Sequence, residues 1–271
     1  MMAVSAMAAP PRAAALHVES MGEGAPLVLL HGFALHGGLF APLLPWLARS
    51  HRVHVVDLPG HGHSRDVRAA TLGDMVDAVH ANVAAMAPGA TVLGWSFGGQ
   101  VALEWARRHP DAVSRLVLVC TTPSFATREG WPCAMDPDTL RRFGDELRVA
   151  YRLTLQRFLT LQVQGSDAGR ATLAQLRARL FERGEPDPQS LDCTMRMLID
   201  TDLRTGVAQV RCPTRVVAGT GDALAPAAAG AWLADALPHA DLRLIEGAAH
   251  VPFLSHATAF ADAVQGFTDG R

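Results

Sequence analysis

The stretch from Thr91 to His109, TVLGWSFGGQVALEWARRH, constrains the fold more than any other part of the chain. An apolar run with strand character ends at the letters GWSFG, residues 94–98, and helical spacing of apolar side chains begins directly afterwards. A G-x-S-x-G turn between a strand and a helix holds its serine in a strained conformation, with glycines where a Cβ would collide. The sequence therefore predicts an exposed nucleophilic hydroxyl on Ser96, in front of a helix N-terminus.

Strand and helix patterns alternate on both sides of this turn. The predicted strands cover residues 27–30, 53–57, 92–93, 116–120, 215–219 and 242–245, and the predicted helices among them cover 39–49, 72–86, 227–237 and a last segment from about 257. Short apolar runs are typical of strands that are buried on both faces, and alternation with helices requires crossover connections. We predict an α/β fold with a mostly parallel central sheet and helices on both faces.

The alternation stops near Pro123 and resumes after Asp200, and the patterns between them are helical only, as in 138–160 and 169–183. We therefore predict a core formed by residues 16–122 and 201–271. The lid segment, residues 123–200, is predicted as a helical insertion over the strand ends where open α/β sheets carry their sites. Residues 1–15 have one charged side chain and no leucine-rich run, which favours a disordered tail over a secretion signal.

Composition excludes several classes of protein. No apolar run approaches the ~18 residues that a membrane span needs, and a net charge of −2 in 271 residues does not favour nucleic acid. The four cysteines lie far apart without a C-x-x-C pair, which argues against a disulfide framework or a zinc site. His61 and His63 stand in a Pro-Gly loop without a third ligand nearby, so a turn is favoured over a metal site. We expect a cytoplasmic monomer without metal or cofactor.

A serine nucleophile needs a base to take its proton and an acid to orient that base. Asp222 follows the predicted strand 215–219, and His250 is the one histidine in the loop after the last predicted strand. Carboxyl ends of parallel strands lie at one sheet edge, so both side chains are expected beside Ser96. The alternatives are an N-cap role for Asp222 at the helix near Pro226 and a purely structural loop histidine.

Ester cleavage also requires N–H donors for the developing oxyanion. The first is predicted to be the backbone N–H of Phe97, directly after the nucleophile. The second is predicted to be the N–H of Phe33, in the loop after the first predicted strand. His31, two residues before Phe33, is expected to be structural and to bridge loops.

Five motifs together resemble the α/β-hydrolase superfamily over nearly the whole chain. They are HGF (31–33), DLPGHGHS (57–64), GWSFGG (94–99), GTGD (219–222) and GAAH (247–250). The chain is more similar still to the carboxylesterase family that acts on methyl-esterified pimeloyl-acyl carrier protein in biotin synthesis. The stretches that carry this closer likeness are LGWS (93–96), TTPSF (121–125), WP (131–132), RFLTLQ (157–162), TDLR (201–204) and AAHVPF (248–253).

This resemblance implies that water removes a methyl group from the distal ester of the pimeloyl chain through an acyl-enzyme on Ser96. His250 would act as base and then acid, Asp222 would fix its tautomer, and Phe33 and Phe97 would hold the oxyanion. A family tryptophan is replaced by Phe33 here. Substrate-binding roles are implied for Phe33, Phe97 and Phe158, because Phe158 matches an aromatic residue of the acyl channel.

The resemblance also implies docking of acyl carrier protein through arginines of the lid segment. Arg157 and Arg170 match family positions, and two further family arginines fall on Leu153 and Ala174, with Arg152 and Arg177 close by. Independently, residues 141–183 contain nine arginines and four acidic residues, an excess suited to an acidic partner. The alternative for this charge is a solvated helical surface.

Two other functions remain open from the sequence. The same three side chains would serve a general small-molecule carboxylesterase or another Ser-His-Asp hydrolase. A ligand-binding receptor that has lost turnover is the non-enzymatic alternative, although an intact serine, histidine and aspartate argue against it.

Overall fold

Seven strands form one sheet in the computed structural model, which describes residues 15–270. The strands are β1 (Val18–Met21), β2 (Ala25–Leu30), β3 (His51–Val56), β4 (Ala90–Trp95), β5 (Val113–Val119), β6 (Thr214–Gly219) and β7 (Ala240–Ile245). Their order across the sheet is β1-β3-β2-β4-β5-β6-β7. Only the β1–β3 pair of this sheet is antiparallel. The predicted α/β fold with a mostly parallel sheet is confirmed.

Helices connect the parallel strands. They are α1 (Leu44–Leu47), α2 (Leu72–Val83), α3 (Phe97–Arg108), α4 (Pro137–Val163), α5 (Gly169–Arg179), α6 (Pro188–Asp200), α7 (Ala227–Ala236), α8 (Pro252–Ser255) and α9 (Ala257–Thr268). Helix α3 packs on β4 and β5, and α7 and α9 pack on β6 and β7. In the described part of the chain, no helix combines the length and apolarity that crossing a bilayer requires.

The central strands end in buried apolar residues. The last four residues of β2, β5 and β6 and all six of β4 are buried. Strands covered on both faces lose alternation of apolar and polar residues, which explains the continuous apolar runs in the sequence. Because these strands are parallel, the loops after their carboxyl ends meet at one edge of the sheet.

The predicted helix over residues 39–49 is wrong. The structure has a 3₁₀ turn at Gly37–Phe40 and then the single turn α1, in which Pro45 occupies an early position. Pro42 lies between them and has no N–H for a continuous helix, so the segment breaks where the apolar spacing suggested continuity. Strand β1 was not predicted, since a four-residue edge strand carries little signal.

Residues of the lid segment form α4, α5 and α6 between β5 and β6. Helix α4 bends at Ala150, where φ is −139° and ψ is 53°. The connection between α5 and α6 is bound to the sheet edge through Arg183, which pairs with the buried Asp57 at 3.2 Å and with Glu19 at 2.5 Å. The division into a core and a lid stays a prediction. The predicted disordered tail lies outside the described residues, except for Ala15.

We expect Gly98→Ala to destabilise the fold by about 2 kcal/mol or more, in line with overpacked cores. A Cβ at Gly98 would lie 2.3 Å from the Leu30 carbonyl oxygen and 2.5 Å from that of His31. The matched control is Gly266→Ala in α9, where a Cβ meets nothing within 4 Å. This change should stabilise by about 0.5–1 kcal/mol through helix propensity. Urea unfolding at constant pH measures both, and equal effects would contradict the packing argument.

Candidate active site

Ser96 occupies the sharp turn between β4 and α3. Its φ is 56° and its ψ is −120°, outside the regions that most L-residues adopt. Ala34 and Cys120 are the other non-glycine residues of the described chain with positive φ, and they follow β2 and β5. Backbone strain is therefore concentrated in the loops at the carboxyl edge of the sheet, as is common at functional sites.

The serine hydroxyl is less exposed than the sequence predicted. Only 7% of Ser96 is accessible, and residues of α4 and α6 line the same cavity as its side chain. Its backbone is fixed on both sides: the N–H donates to the Val119 carbonyl at 2.9 Å, and the Thr121 hydroxyl donates to its carbonyl at 2.7 Å. The expectation of an exposed nucleophile is thus corrected to a buried serine that lines a cavity.

A hydrogen-bonded chain joins the three predicted side chains. Nε2 of His250 lies 2.8 Å from Oγ of Ser96, and Nδ1 of His250 lies 2.8 Å from Oδ2 of Asp222. His250 and Asp222 are 2% and 5% exposed, so water competes little for these bonds. In this geometry an imidazole accepts the serine proton at Nε2 while the carboxylate fixes the tautomer that has its proton on Nδ1.

Asp222 is oriented by its own loop. Its Oδ1 accepts from the N–H groups of Leu224 and Ala225 at 2.9 and 3.0 Å, which leaves Oδ2 for the imidazole. The alternative of an N-cap is wrong, because the cap residue of α7 is Pro226 and has no side-chain cap hydrogen bond. Asp222 therefore closes the turn before α7 and accepts from His250 at the same time.

The loop that carries His250 is held by two groups that sequence reasoning missed. The indole Nε1 of Trp95 donates to the His250 carbonyl at 2.8 Å, and the His250 N–H donates to the Gln162 carbonyl at 3.1 Å. Trp95 comes from the strand before the serine, and Gln162 from the last turn of α4. The position of Trp95 beside Ser96 within the motif was a signal, whereas the contact with Gln162 depends on the tertiary fold.

Two buried residues beside the serine have backbone N–H groups without a hydrogen-bond partner in the described chain. Within residues 15–270, no hydrogen bond uses the backbone N–H of Phe33 or Phe97, although these residues are 3% and 0% exposed. The loop of Phe33 lies against the nucleophile, since a Cβ at Gly32 would be 3.3 Å from Cβ of Ser96. Buried donors are nearly always satisfied, so such a pair is suited to receive a ligand oxygen.

A cavity of about 220 Å³ opens from Ser96 and His250 under the lid segment. Phe33, Phe143 and Phe158 form one wall, with ring centroids 5.2 to 6.2 Å apart. Its other apolar lining residues are Phe125, Met135, Leu140, Leu161, Met195, Leu198 and Leu224. Phe158 lies where the sequence placed it, whereas Phe97 does not line the cavity with its side chain. A cavity of this kind accepts a flexible hydrocarbon chain.

The four predicted docking arginines are all exposed, but they differ in their partners. Arg152 pairs with Glu185 at 2.5 Å and lies 4.7 Å above the Phe181 ring. Arg157 makes a long contact of 3.9 Å with Glu146. Arg170 and Arg177 of α5 have no carboxylate partner within the described part of the chain. Of these four arginines, the two on α5 therefore have the most available positive charge.

Cys120 lies directly beside Asp222 and was not singled out from the sequence. Its Sγ is 3.7 Å from the Ala249 carbonyl oxygen, and ligand atoms of Cys120, Asp222 and His250 lie within 4.8 Å of one another. No other potential metal-binding group of three was found among residues 15–270. Burial and the Asp222 carboxylate raise the pKa of the Cys120 thiol well above its usual value, so it keeps its proton.

Comparison with known proteins identifies the family. A profile described as alpha/beta hydrolase fold matches residues 25–257. The chain belongs to the α/β-hydrolase family. Solved structures of this fold are similar throughout: an esterase from Exiguobacterium antarcticum superposes with a TM-score of 0.83 at 22% identity, covering 93% of this chain and 95% of the other. A bromoperoxidase from Bacillus anthracis gives 0.85 at 22% identity, covering 93% and 94%.

Curated relatives of this α/β hydrolase are more similar in sequence. A protein of Nitrosospira multiformis is 41% identical, over 90% of this chain and 95% of its own length. One from Xanthomonas axonopodis pv. citri is 44% identical, over 93% and 98%. Both are named pimeloyl-[acyl-carrier protein] methyl ester esterase.

His31 keeps the loop of Phe33 in place in its neutral form. Its Nε2 accepts from the Leu58 N–H at 2.9 Å, and its Nδ1 donates to the Gly32 carbonyl at 2.8 Å. Burial lowers the pKa of His31 to about 3. The unfolded chain therefore binds a proton below its ordinary pKa of about 6.5, while the folded chain does not.

We expect the free energy of unfolding to fall as the pH decreases from 6.5 towards 3, by up to about 1.4 kcal/mol per pH unit from His31. His31→Gln keeps an acceptor for the Leu58 N–H but does not titrate, so its loss of stability over this range should be smaller. Urea unfolding at pH 4.5 and 6.5 measures the difference. The same pH dependence in both proteins would show that His31 is not the group responsible.

Proposed function

We propose that this α/β hydrolase removes the methyl group from the distal ester of a pimeloyl chain carried on acyl carrier protein, in biotin synthesis. The products are pimeloyl-acyl carrier protein and methanol. The observation that carries the proposal is 41–44% identity over nearly the full length to curated esterases with that name. The apolar cavity that ends at Ser96 and His250 supports it, because a seven-carbon chain needs an enclosed hydrocarbon wall. The four free cysteines suit the reducing cytoplasm, where we place the reaction.

In the first half of the proposed reaction, Ser96 attacks the ester carbonyl carbon while His250 takes the hydroxyl proton at Nε2. The tetrahedral intermediate then collapses when His250 returns this proton to the methoxy oxygen, so that methanol leaves and an acyl-enzyme remains. Asp222 stabilises the imidazolium that exists between these two proton transfers. The 2.8 Å contacts on both ring nitrogens support this assignment.

In the second half, water replaces methanol. His250 removes a proton from the water, the resulting hydroxide attacks the acyl carbon, and the proton passes to Oγ of Ser96 as the acid is released. Both tetrahedral intermediates have an oxyanion, which the N–H groups of Phe33 and Phe97 would bind. The absence of any other hydrogen bond from these two buried N–H groups within residues 15–270 supports this assignment.

The hydrocarbon chain would lie along Phe33 and Phe158, which belong to the apolar wall of the cavity, with Phe97 contributing its backbone. Carrier protein would dock outside, on the exposed arginines of the lid segment: Arg152, Arg157, Arg170 and Arg177. Because Arg152 already pairs with Glu185, we assign the larger electrostatic contribution to Arg170 and Arg177 of α5. Positive charge of this kind steers an acidic partner and raises its association rate.

We expect Ser96→Ala to lower kcat by at least about 10⁴-fold, because the attacking hydroxyl is removed. A fluorophosphonate probe should label the wild-type protein and fail to label this variant. Circular dichroism should be unchanged, since alanine fits the same space. Ser255→Ala is the matched control, because the Ser255 hydroxyl bonds only to the Val251 carbonyl and to the ring of the adjacent His256 within the described chain. Substantial activity in Ser96→Ala would overturn the nucleophile assignment.

We expect Arg170→Glu to raise KM for methyl pimeloyl-acyl carrier protein about fivefold or more at low ionic strength. The difference from wild type should shrink in 0.5 M salt, where charges are screened within a few ångströms. A short p-nitrophenyl ester should be hydrolysed as before. Glutamate is favourable at the N-terminal end of α5, so the fold should be retained.

The matched control for docking is Arg211→Glu, an exposed arginine before the amino end of β6, at the opposite edge of the sheet. It should leave KM for the carrier-bound ester unchanged. If Arg170→Glu and Arg211→Glu raised KM equally, a specific docking face on α5 would be contradicted. The direct test of the function is to incubate wild-type protein with methyl pimeloyl-acyl carrier protein and follow the loss of one methyl group by mass.

A further inference from the structure

Three polar side chains of α4 interrupt the apolar lining of the cavity. Thr139, Arg142 and Glu146 line the same cavity as Ser96, one helical turn apart from one another. Arg142 and Glu146 are exposed, which places them at the open end, away from the buried His250. A hydrocarbon chain forms no hydrogen bond with a guanidinium or a carboxylate. These two groups are therefore suited to contact a polar part of the ligand.

Arg142 differs from its neighbours in having no acidic partner. It donates to the Thr139 hydroxyl at 3.2 Å, and no carboxylate of residues 15–270 lies within 4.0 Å of it. By contrast, Arg141 pairs with Asp138 at 2.5 Å, and Arg148 pairs with Asp145 and Asp192. Most donors of the Arg142 guanidinium are therefore available to a ligand.

Glu146 is also only weakly engaged. Its single ion-pair contact within the described chain is the 3.9 Å approach to Arg157, between side chains that are both more than half exposed. Such pairs contribute little. Residues four apart on a helix lie on the same face, so Arg142 and Glu146 present a donor and an acceptor side by side.

We propose that Arg142 and Glu146 bind the amide groups of the pantetheine arm that carries the acyl chain. Arg142 donates to an amide carbonyl oxygen, and Glu146 accepts from an amide N–H. This proposal rests on the proposed function, since only a carrier-bound substrate continues from an apolar chain into an arm with amides. A chain that ended in a free carboxylate would be attracted by Arg142 but repelled by Glu146, whereas an amide satisfies both.

The test compares two methyl esters that share the reacting end. One is the pantetheine thioester of monomethyl pimelate, and the other is methyl heptanoate, which has no arm. The measured quantity is the ratio of kcat/KM for the thioester to that for methyl heptanoate. We expect Arg142→Ala to lower this ratio about tenfold, or 1.4 kcal/mol, through KM. Glu146→Gln should lower it several-fold.

Arg141→Ala is the matched control, because Arg141 is adjacent, does not line the cavity and pairs with Asp138. It should leave the ratio unchanged. An unchanged ratio in Arg142→Ala, or an equal fall in Arg141→Ala, would overturn the proposal. Free monomethyl pimelate is a further test substrate. If Glu146→Gln raised kcat/KM for this anion and left that for the thioester unchanged, Glu146 would only repel anions and the proposed amide contact would be wrong.

Failure of this proposal is distinguishable from failure of the proposed function. Demethylation of methyl pimeloyl-acyl carrier protein by the wild-type protein tests the function alone. If that reaction proceeds and the Arg142 ratio does not change, only the amide contact is wrong. If the wild-type protein hydrolyses methyl heptanoate but neither the thioester nor the carrier-bound ester, both are wrong.

Discussion

The close approach of two backbones at Gly94 and Gly98 determines the geometry of the whole site. A Cβ at Gly94 would lie 2.4 Å from the Gly98 carbonyl oxygen, and one at Gly98 would lie 2.3 Å from that of Leu30. Without these side chains, the N-terminus of α3 lies directly against the ends of β2 and β4. Ser96 has its positive φ in this turn, and the loop of Gly32 and Phe33 lies against it.

Two buried carboxylates organise the loops around this turn. Asp57 accepts from the N–H groups of Gly37 and His63 at 2.7 and 2.9 Å, and Arg183 compensates its charge. Asp222 likewise accepts from two backbone N–H groups and contacts one basic side chain. That side chain is His250, whereas at Asp57 it is Arg183. One carboxylate is permanently neutralised and fixes the fold, whereas the other faces a group that gains and loses a proton.

Much of this arrangement was predictable from the sequence, and the reason is local. The order of strand-end motifs fixes which loops meet at one sheet edge, so Ser96, Asp222 and His250 could be assigned without coordinates. The helix predicted over residues 39–49 is broken at its prolines, and the bend of α4 at Ala150 depends on packing. The spacing of apolar residues in the sequence indicates neither. The ion pair of Arg152 with Glu185 could not be predicted either, because ion pairs between residues distant in sequence leave no pattern in it.

The hydrogen bond from the His250 N–H to the Gln162 carbonyl connects the end of α4 to the loop that carries the imidazole. Gln162 belongs to the last turn of α4, whose earlier residues Phe158 and Leu161 touch the cavity. Any outward displacement of that helix end must lengthen this bond and free the backbone that carries the imidazole. A displacement of the end of α4 is therefore coupled to the position of the His250 imidazole. A ligand that fills the cavity and contacts this helix end also restrains the backbone of His250.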